Sequence, residues 1–166
     1  MKNNEWHYFG NVIVKTKHMK QVLTVILFTI SLSMAKAQGD YKTALGIRMG
    51  PSIPAIKSGI SIKHFIGNNA IEGIISFGDA VGLCGLYEIH KPLANTNLKW
   101  FIGAGGYAAF NNSSSSIGAA GIVGLDYKFA GLPLNLSLDW KPELNLITKV
   151  GFEASTVGFT ARFTFK

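Results

Sequence analysis

Two histidines, His64 and His90, and a serine run, Ser113 to Ser116, are the residues after position 37 that could support nucleophilic chemistry. An acyl-modifying enzyme would need one of these hydroxyls beside a histidine that a third group orients. The strand layout derived below keeps them apart. The serines fall in a loop at one end of the molecule, as polar runs after a pair such as Asn111-Asn112 commonly do. His64 falls on an outward phase near the opposite end and reads as an interfacial residue. His90 closes a strand beside a turn, where solvation is expected rather than catalysis. Cys84 is a single cysteine, so no intramolecular disulfide forms, and no Cys/His cluster with zinc spacing exists. It reads as a small buried residue. Gly103-Ala104-Gly105-Gly106 lacks the spacing and the following helix of a phosphate cradle. No catalytic, cofactor-binding or metal-binding residue is assigned, and no cofactor is expected.

What remains is charge placed at alternate positions. Lys42, Arg48, Lys63, Lys99, Lys128, Lys141 and Arg162 share a strand face with polar residues, as do Glu72, Glu88, Asp126 and Asp139. If that face lines the inside of a small barrel, these groups must pair, because unpaired charge in such a space is costly. Eight strands leave an interior just wide enough for side chains to fill. The expectation is therefore a side-chain plug rather than a conducting channel.

The elements that would position these groups are strands near 40–50, 58–66, 70–78, 80–90, 98–110, 117–129, 133–141 and 155–165. Gly, Asn, Ser and Pro clusters such as Gly67-Asn68-Asn69 and Asn95-Thr96-Asn97 separate them. No helical period competes after residue 37. The last strand is the clearest. Val157, Phe159, Ala161, Phe163 and Phe165 alternate with Gly158, Thr160, Arg162 and Thr164, one face apolar and the other polar. Tyr41, Leu45, Ile47 and Met49 oppose Lys42 and Arg48 in the first strand. Leu134, Leu136, Leu138 and Trp140 oppose Asn135, Ser137, Asp139 and Lys141 in the seventh. Phe101 and Tyr107 share a face with Lys99, which leaves the fifth strand as the poorest fit. Glu153 falls on the apolar phase, at or beyond the outer end of the eighth.

Apolar outside and polar inside is the signature of a transmembrane barrel. Alternating strand directions then give each aromatic a depth. Tyr41, Tyr87, Trp100, Tyr127, Phe129, Phe163 and Phe165 fall near one interface, and Phe77, Phe110 and Trp140 near the other, as headgroup-level girdles do. The fold class expected is all-β: an eight-stranded antiparallel up-and-down transmembrane β-barrel preceded by an N-terminal signal peptide.

The leader carries its own signature. Val22 to Met34 is apolar and uncharged, Lys15, Lys17 and Lys20 precede it, and Ala35-Lys36-Ala37 supplies small residues for a cut. The apolar run is too short for a spanning helix, which needs about 20 residues. Residues 1–18 are expected to be an unstructured extension or a start-site artefact, 19–37 the signal peptide, and 38–166 the barrel, beginning at Gln38 or Gly39. The whole chain carries a formal net charge of +7, but five lysines and one glutamate lie in the leader. The remaining +3 is poor evidence for a nucleic-acid partner.

Gly124-Leu125-Asp126-Tyr127-Lys128-Phe129, followed by Pro133-Leu134-Asn135-Leu136-Ser137-Leu138-Asp139-Trp140-Lys141-Pro142, resembles the small outer-membrane β-barrel proteins of Bacteroidota. In that group a G-[LV]-[DE]-Y strand end, a short turn and a P-[LI]-x-[LF]-S-x-[DE]-W strand recur. The layout of residues 38–166 is similar throughout. Many barrels end on an aromatic, whereas this chain ends Phe165-Lys166, which leaves recognition by the barrel assembly machinery resting on Phe165. The resemblance implies a barrel of the cell outer membrane and no particular activity.

The functional expectation is a monomeric, non-enzymatic outer-membrane barrel with a structural, adhesive or envelope-integrity role. Its expected partners are outer-membrane lipid and lipopolysaccharide, with the barrel assembly machinery during biogenesis and no nucleic acid. A soluble periplasmic lipocalin-like binding barrel is the alternative. It would turn the Leu, Ile and Phe stripes to water, more apolar area than monomers tolerate. An outer-membrane lipid-modifying barrel enzyme is the third reading. The connection Pro142 to Ala154, with its apolar Leu144, Leu146 and Ile147, is expected either to extend the strands as a protruding hairpin or to fold onto the mouth.

Overall fold

A computed structural model of the chain describes residues 41–51, 55–78, 80–94, 96–111, 115–147, 150–154 and 157–165. The leader, the cleavage site and Ser113 and Ser114 of the serine run lie outside the described residues.

Alternation of apolar and polar residues folds here into antiparallel strands because the two faces are buried differently. Strand β4 (Val81–Pro92) shows it best: Gly82, Cys84, Leu86, Glu88 and His90 are buried, while Leu83, Tyr87 and Ile89 between them are exposed. The other long strands are β1 (Thr43–Met49), β2 (Gly59–Ile66), β3 (Asn69–Ser76), β5 (Leu98–Phe110), β6 (Ser115–Lys128), β7 (Leu134–Trp140) and β10 (Val157–Phe165). Each pairs antiparallel with its neighbours. Pairing of β5 with β6 and of β1 with β10 closes the sheet into an eight-stranded barrel. The connection between β2 and β3 turns on Gly67, whose φ of 64° is a left-handed conformation that glycine adopts without strain. The strands match their sequence expectations to within a few residues. Ser115 and Ser116, expected in a loop, open β6 instead and pair with Phe110 and Ala109.

Two short strands were not expected as such: β8 (Glu143–Asn145) and β9 (Gly151–Glu153), both inside the Pro142–Ala154 connection. β8 continues β7 along β6 without a change of register, since Trp140 faces Val123 and Glu143 faces Ala120. Pro142 lacks an N–H and so interrupts the ladder, although its carbonyl still accepts from the Gly121 amide at 3.0 Å. Between the pair Glu143–Glu153 and the pair Trp140–Val157, one strand advances three residues and the other four. The connection is therefore a hairpin prolonging the wall, the first of its two expected forms.

Outside, the wall is apolar. Leu45, Ile47, Ile60, Ile62, Ile71, Ile75, Leu83, Ile102, Leu125 and Leu138 all stand exposed on it. On β6 the outward row runs from Ile117 to Tyr127. Ten residues at about 3.3 Å each, tilted by about 40°, span about 25 Å, the height of a membrane barrel's apolar band. Tyr87, Trp100, Tyr127 and Phe165 point outward near the rim where β1 begins and β10 ends, here called proximal. Phe77, Phe110 and Trp140 do so at the distal rim. Tyr41 departs from its expected outward place. It precedes the first strand, so pleating does not fix its direction, and its ring packs edge-on against buried Phe65 at 5.2 Å.

Candidate functional site

The lumen gathers the charged residues that sequence alternation turned inward. Arg48 on β1, Lys63 on β2, Glu72 on β3, Glu88 on β4, Asp126 on β6, Asp139 on β7 and Arg162 on β10 are each buried. Strand register decides how they pair. Lys63 and Glu72 face each other across β2 and β3, and the Lys63 ammonium lies 3.2 Å from Glu72, 2.8 Å from Glu88 and 3.5 Å from Asp126. The Arg162 guanidinium pairs with Glu72, donates to Ser61 Oγ at 2.8 Å and to Ser137 Oγ at 2.5 Å, and reaches Asn135 at 3.3 Å. Asn135 in turn donates to Asp126. Arg48 forms a separate two-pronged pair with Asp139 at 2.5 and 2.7 Å. Buried charge needs such neighbours, because desolvating it alone costs several kcal/mol.

Aromatic rings floor this network on the proximal side. Phe65, His90 and Phe101 lie side by side, with His90 stacked on Phe101 at 4.9 Å and tilted against Phe65 at 4.8 Å. The Lys63 ammonium sits 4.3 Å from the Phe101 ring centroid. Phe101 fits because Gly124 faces it: a Cβ there would lie 2.7 Å from the ring and 2.5 Å from the Leu138 carbonyl oxygen. The fifth strand thus turns Phe101 and Tyr107 inward, on the phase of Lys99, and leaves Trp100 and Phe110 outward. At the mouth, burial and then the Asp126 carboxylate raise the Tyr41 hydroxyl well above its ordinary value, so it remains protonated.

The distal half of the lumen is different. Ile56, Ile74, Cys84, Leu86, Tyr107 and Ile122 form an apolar cluster. Ile56 reaches it from the connection between β1 and β2, so a loop residue closes that end. Its neighbour Ala55 donates its amide to Glu143 Oε2 at 2.9 Å, while Glu143 Oε1 pairs with Lys141. Glu143 is buried, and the hairpin thereby also holds the loop in the mouth.

Several sequence expectations are corrected. His90 is not solvated: it is 2% exposed, and its Nε2 lies 2.8 Å from Glu88. It belongs to the inward phase of β4, and the aromatic rings on either side exclude water. Lys42, Lys99 and Lys128 do not join the buried network. They stand at the proximal rim, Lys42 exposed and Lys99 and Lys128 half-buried, and Lys128 donates instead to the carbonyls of Phe129 and Leu132 at 2.8 and 2.5 Å. Glu143 was missed, although its parity with Asp139 and Lys141 across Pro142 was the signal for it. His64 does point outward, 2.8 Å from the Thr43 hydroxyl, and Cys84 is buried as expected. Ser61, Ser137 and Thr160 lie near the lumen cations, so their hydroxyls serve charge solvation. Among the described residues no three His, Cys, Asp or Glu side chains are placed to hold a metal ion.

A closed eight-stranded antiparallel barrel with a charged lumen and an apolar wall defines the class of the fold. No family model matches the chain, and no curated protein matches it. Among solved structures it is similar to the N-terminal β-barrel domain of Pseudomonas aeruginosa OprF, with a TM-score of 0.56 and 16% identity, over 77% of this chain and 100% of that one. It also matches Neisserial surface protein A (NspA) at a TM-score of 0.43 and 14% identity, over 75% of this chain and 95% of that one. The likeness to the OprF domain is one of fold.

Proposed function

We propose that this chain is an outer-membrane β-barrel that serves a structural, adhesive or envelope-integrity role without catalysing a reaction. One observation carries the reading: the barrel is inside out relative to a soluble protein. Its ion pairs are in the lumen and its Ile, Leu and Val side chains form the outer wall. A water-facing wall of that kind would aggregate, whereas a hydrocarbon layer of matching height solvates it. A soluble binding barrel would keep its apolar residues for a pocket. Here most of them stand on the wall, and the side chains that fill the lumen, ion pairs and a distal apolar cluster, support a plug rather than a channel.

Residues 19–37 act in this reading as the export signal, and the mature protein begins at Gln38 or Gly39. It is monomeric, folds with the help of the barrel assembly machinery, and contacts outer-membrane lipid and lipopolysaccharide. Cell fractionation combined with gel mobility of unheated and boiled samples tests the proposal. The protein should sediment with the outer membrane and change mobility on boiling. Recovery in the soluble fraction with no heat-dependent shift would overturn it.

A further inference from the structure

Burial separates the charges of this chain by sign. Of the described carboxylates, Glu72, Glu88, Asp126, Asp139 and Glu143 are all buried, and Glu153 alone reaches the surface. The described lysines that reach the surface are Lys42, Lys57, Lys91, Lys99 and Lys128. Four of these stand at the proximal rim: Lys42 before β1, Lys91 at the end of β4, Lys99 at the start of β5 and Lys128 at the end of β6. No described carboxylate is exposed there. Among the described residues this rim therefore carries four lysines and no exposed carboxylate.

The same rim is aromatic on its outer side. Lys91 and Trp100 face each other across β4 and β5, and the Lys91 ammonium lies 5.9 Å from the Trp100 ring. Lys99 stands on the inner side of this rim, at the mouth, its ammonium 5.4 Å from the buried Phe65 ring. A lysine beside an outward tryptophan, directly above an apolar wall, matches the depth at which amphipathic rings and ammonium groups meet lipid headgroups. Each lysine near an anionic membrane surface favours binding, and the effect fades within a Debye length.

We infer that the proximal rim is a docking surface for the phosphates of anionic phospholipids, with Lys42, Lys91, Lys99 and Lys128 as the recognising groups. This rests on the membrane reading above. The consequence is orientation: the barrel prefers the leaflet whose phospholipids are anionic on its proximal side, and loses that preference without the lysines.

Two tryptophans give the test a reporter at each rim. The full chain carrying Trp6→Phe and Trp140→Phe leaves Trp100, and the chain carrying Trp6→Phe and Trp100→Phe leaves Trp140. Each is refolded into vesicles of phosphatidylcholine and phosphatidylglycerol in which one or the other lipid has brominated acyl chains. Trp100 should be quenched several-fold more by brominated phosphatidylglycerol than expected from its share of the lipid, and Trp140 should show no preference. Replacing the four lysines by glutamine, or raising the salt to molar concentration, should bring Trp100 to parity. Equal quenching of Trp100 by both lipids in low salt would overturn the inference, and so would a preference that survives molar salt, a measurement needing no variant. Absence of a heat-dependent mobility shift in these vesicles would instead count against the membrane reading itself.

Discussion

The Arg48 guanidinium and the Asp139 carboxylate clasp one another inside the lumen, Nη1 to Oδ2 at 2.5 Å and Nη2 to Oδ1 at 2.7 Å. Their strands, β1 and β7, are not neighbours, for β10 lies between them. The pair therefore spans β10, and Arg48 also lies 3.5 Å from Thr160 on that strand. Both partners are excluded from solvent. Removing one strands the other, which costs about 3–5 kcal/mol, while replacing both by apolar residues of similar size costs far less. Asp139→Leu should lower the urea midpoint of the vesicle-inserted protein sharply, and Arg48→Met with Asp139→Leu should restore most of it. Equal midpoints for the single and double variants would show that a stranded Arg48 is not what destabilises Asp139→Leu.

Gly158 explains how that clasp fits. A Cβ at this position would lie 2.2 Å from Arg48 Nη2 and 2.5 Å from Cζ. The end of an arginine can ordinarily swing away, but here moving it breaks both bonds to Asp139. Gly158→Ala should therefore be destabilising when the pair is intact and nearly neutral when Arg48 is already Met. The double-mutant cycle reads the coupling directly, and contacting residues typically give 0.5–3 kcal/mol. Additive effects would mean that the guanidinium has another place to go.

Glu143 links the hairpin to the loop that carries Ile56. Its carboxylate accepts the Ala55 amide at 2.9 Å and is held in turn by Lys141. Losing a charged acceptor for a half-buried donor costs about 1–3 kcal/mol, which is about fivefold to over a hundredfold in local opening. In Glu143→Ala, the Ala55 amide should exchange with deuterium at least about fivefold faster than in the parent. Amides in β2 and β3 should be unchanged. Uniform acceleration through the barrel would indicate global destabilisation rather than release of the loop.

Leu136 and Ser137 are adjacent on β7 yet meet different surroundings. Leu136 faces outward between Tyr127 and Ala161 in the register of β6 and β10. Ser137 faces inward and accepts from Arg162 at 2.5 Å. An arginine at Leu136 should cost about 2–4 kcal/mol if that level meets the bilayer midplane. An arginine at Ser137 would set a second guanidinium against Arg162 and should prevent folding. Spin labels report the facing without adding a charge to the network. The label at 136 should be relaxed by oxygen, which partitions into lipid, and the label at 137 should be shielded from it.

The barrel was legible from sequence because its strands alternate strictly, as Val157 to Phe165 do, and the chain repeats that pattern with glycine-rich breaks. Facing followed from the same parity, which put Arg48, Lys63 and Arg162 in the lumen before any register was known. What parity cannot supply is depth. Lys99 and Lys128 share the phase of the buried cations but lie at strand ends, where they are only half-buried, and Tyr41 escapes the rule because it precedes β1. His90 was misread because a strand end looks solvated until Phe65 and Phe101, distant in sequence, close around it. The ion-pair partners depend on register, and a slip of one residue would have turned every charge outward.

The hairpin of β8 and β9 offers the most direct reading of which rim faces the outside of the cell. It prolongs the distal wall, and its outward pair Leu144–Phe152 leaves both side chains exposed. β8 is held along β6 through Gly118 to Ala120, so a cut between β8 and β9 should leave the barrel closed. Trypsin recognises Lys149, which lies between the two strands in sequence. The proximal rim offers Lys42, Lys99 and Lys128, since Lys91 precedes Pro92 and resists cleavage. Longer connections face outward in bacterial barrels and shorter turns face the periplasm. Trypsin added to intact cells should nick the protein after Lys149, and the nicked form should keep its heat-dependent mobility shift. The two fragments should separate only after boiling. Cleavage of intact cells after Lys99 with Lys149 spared would invert the topology and turn the basic rim to the outside.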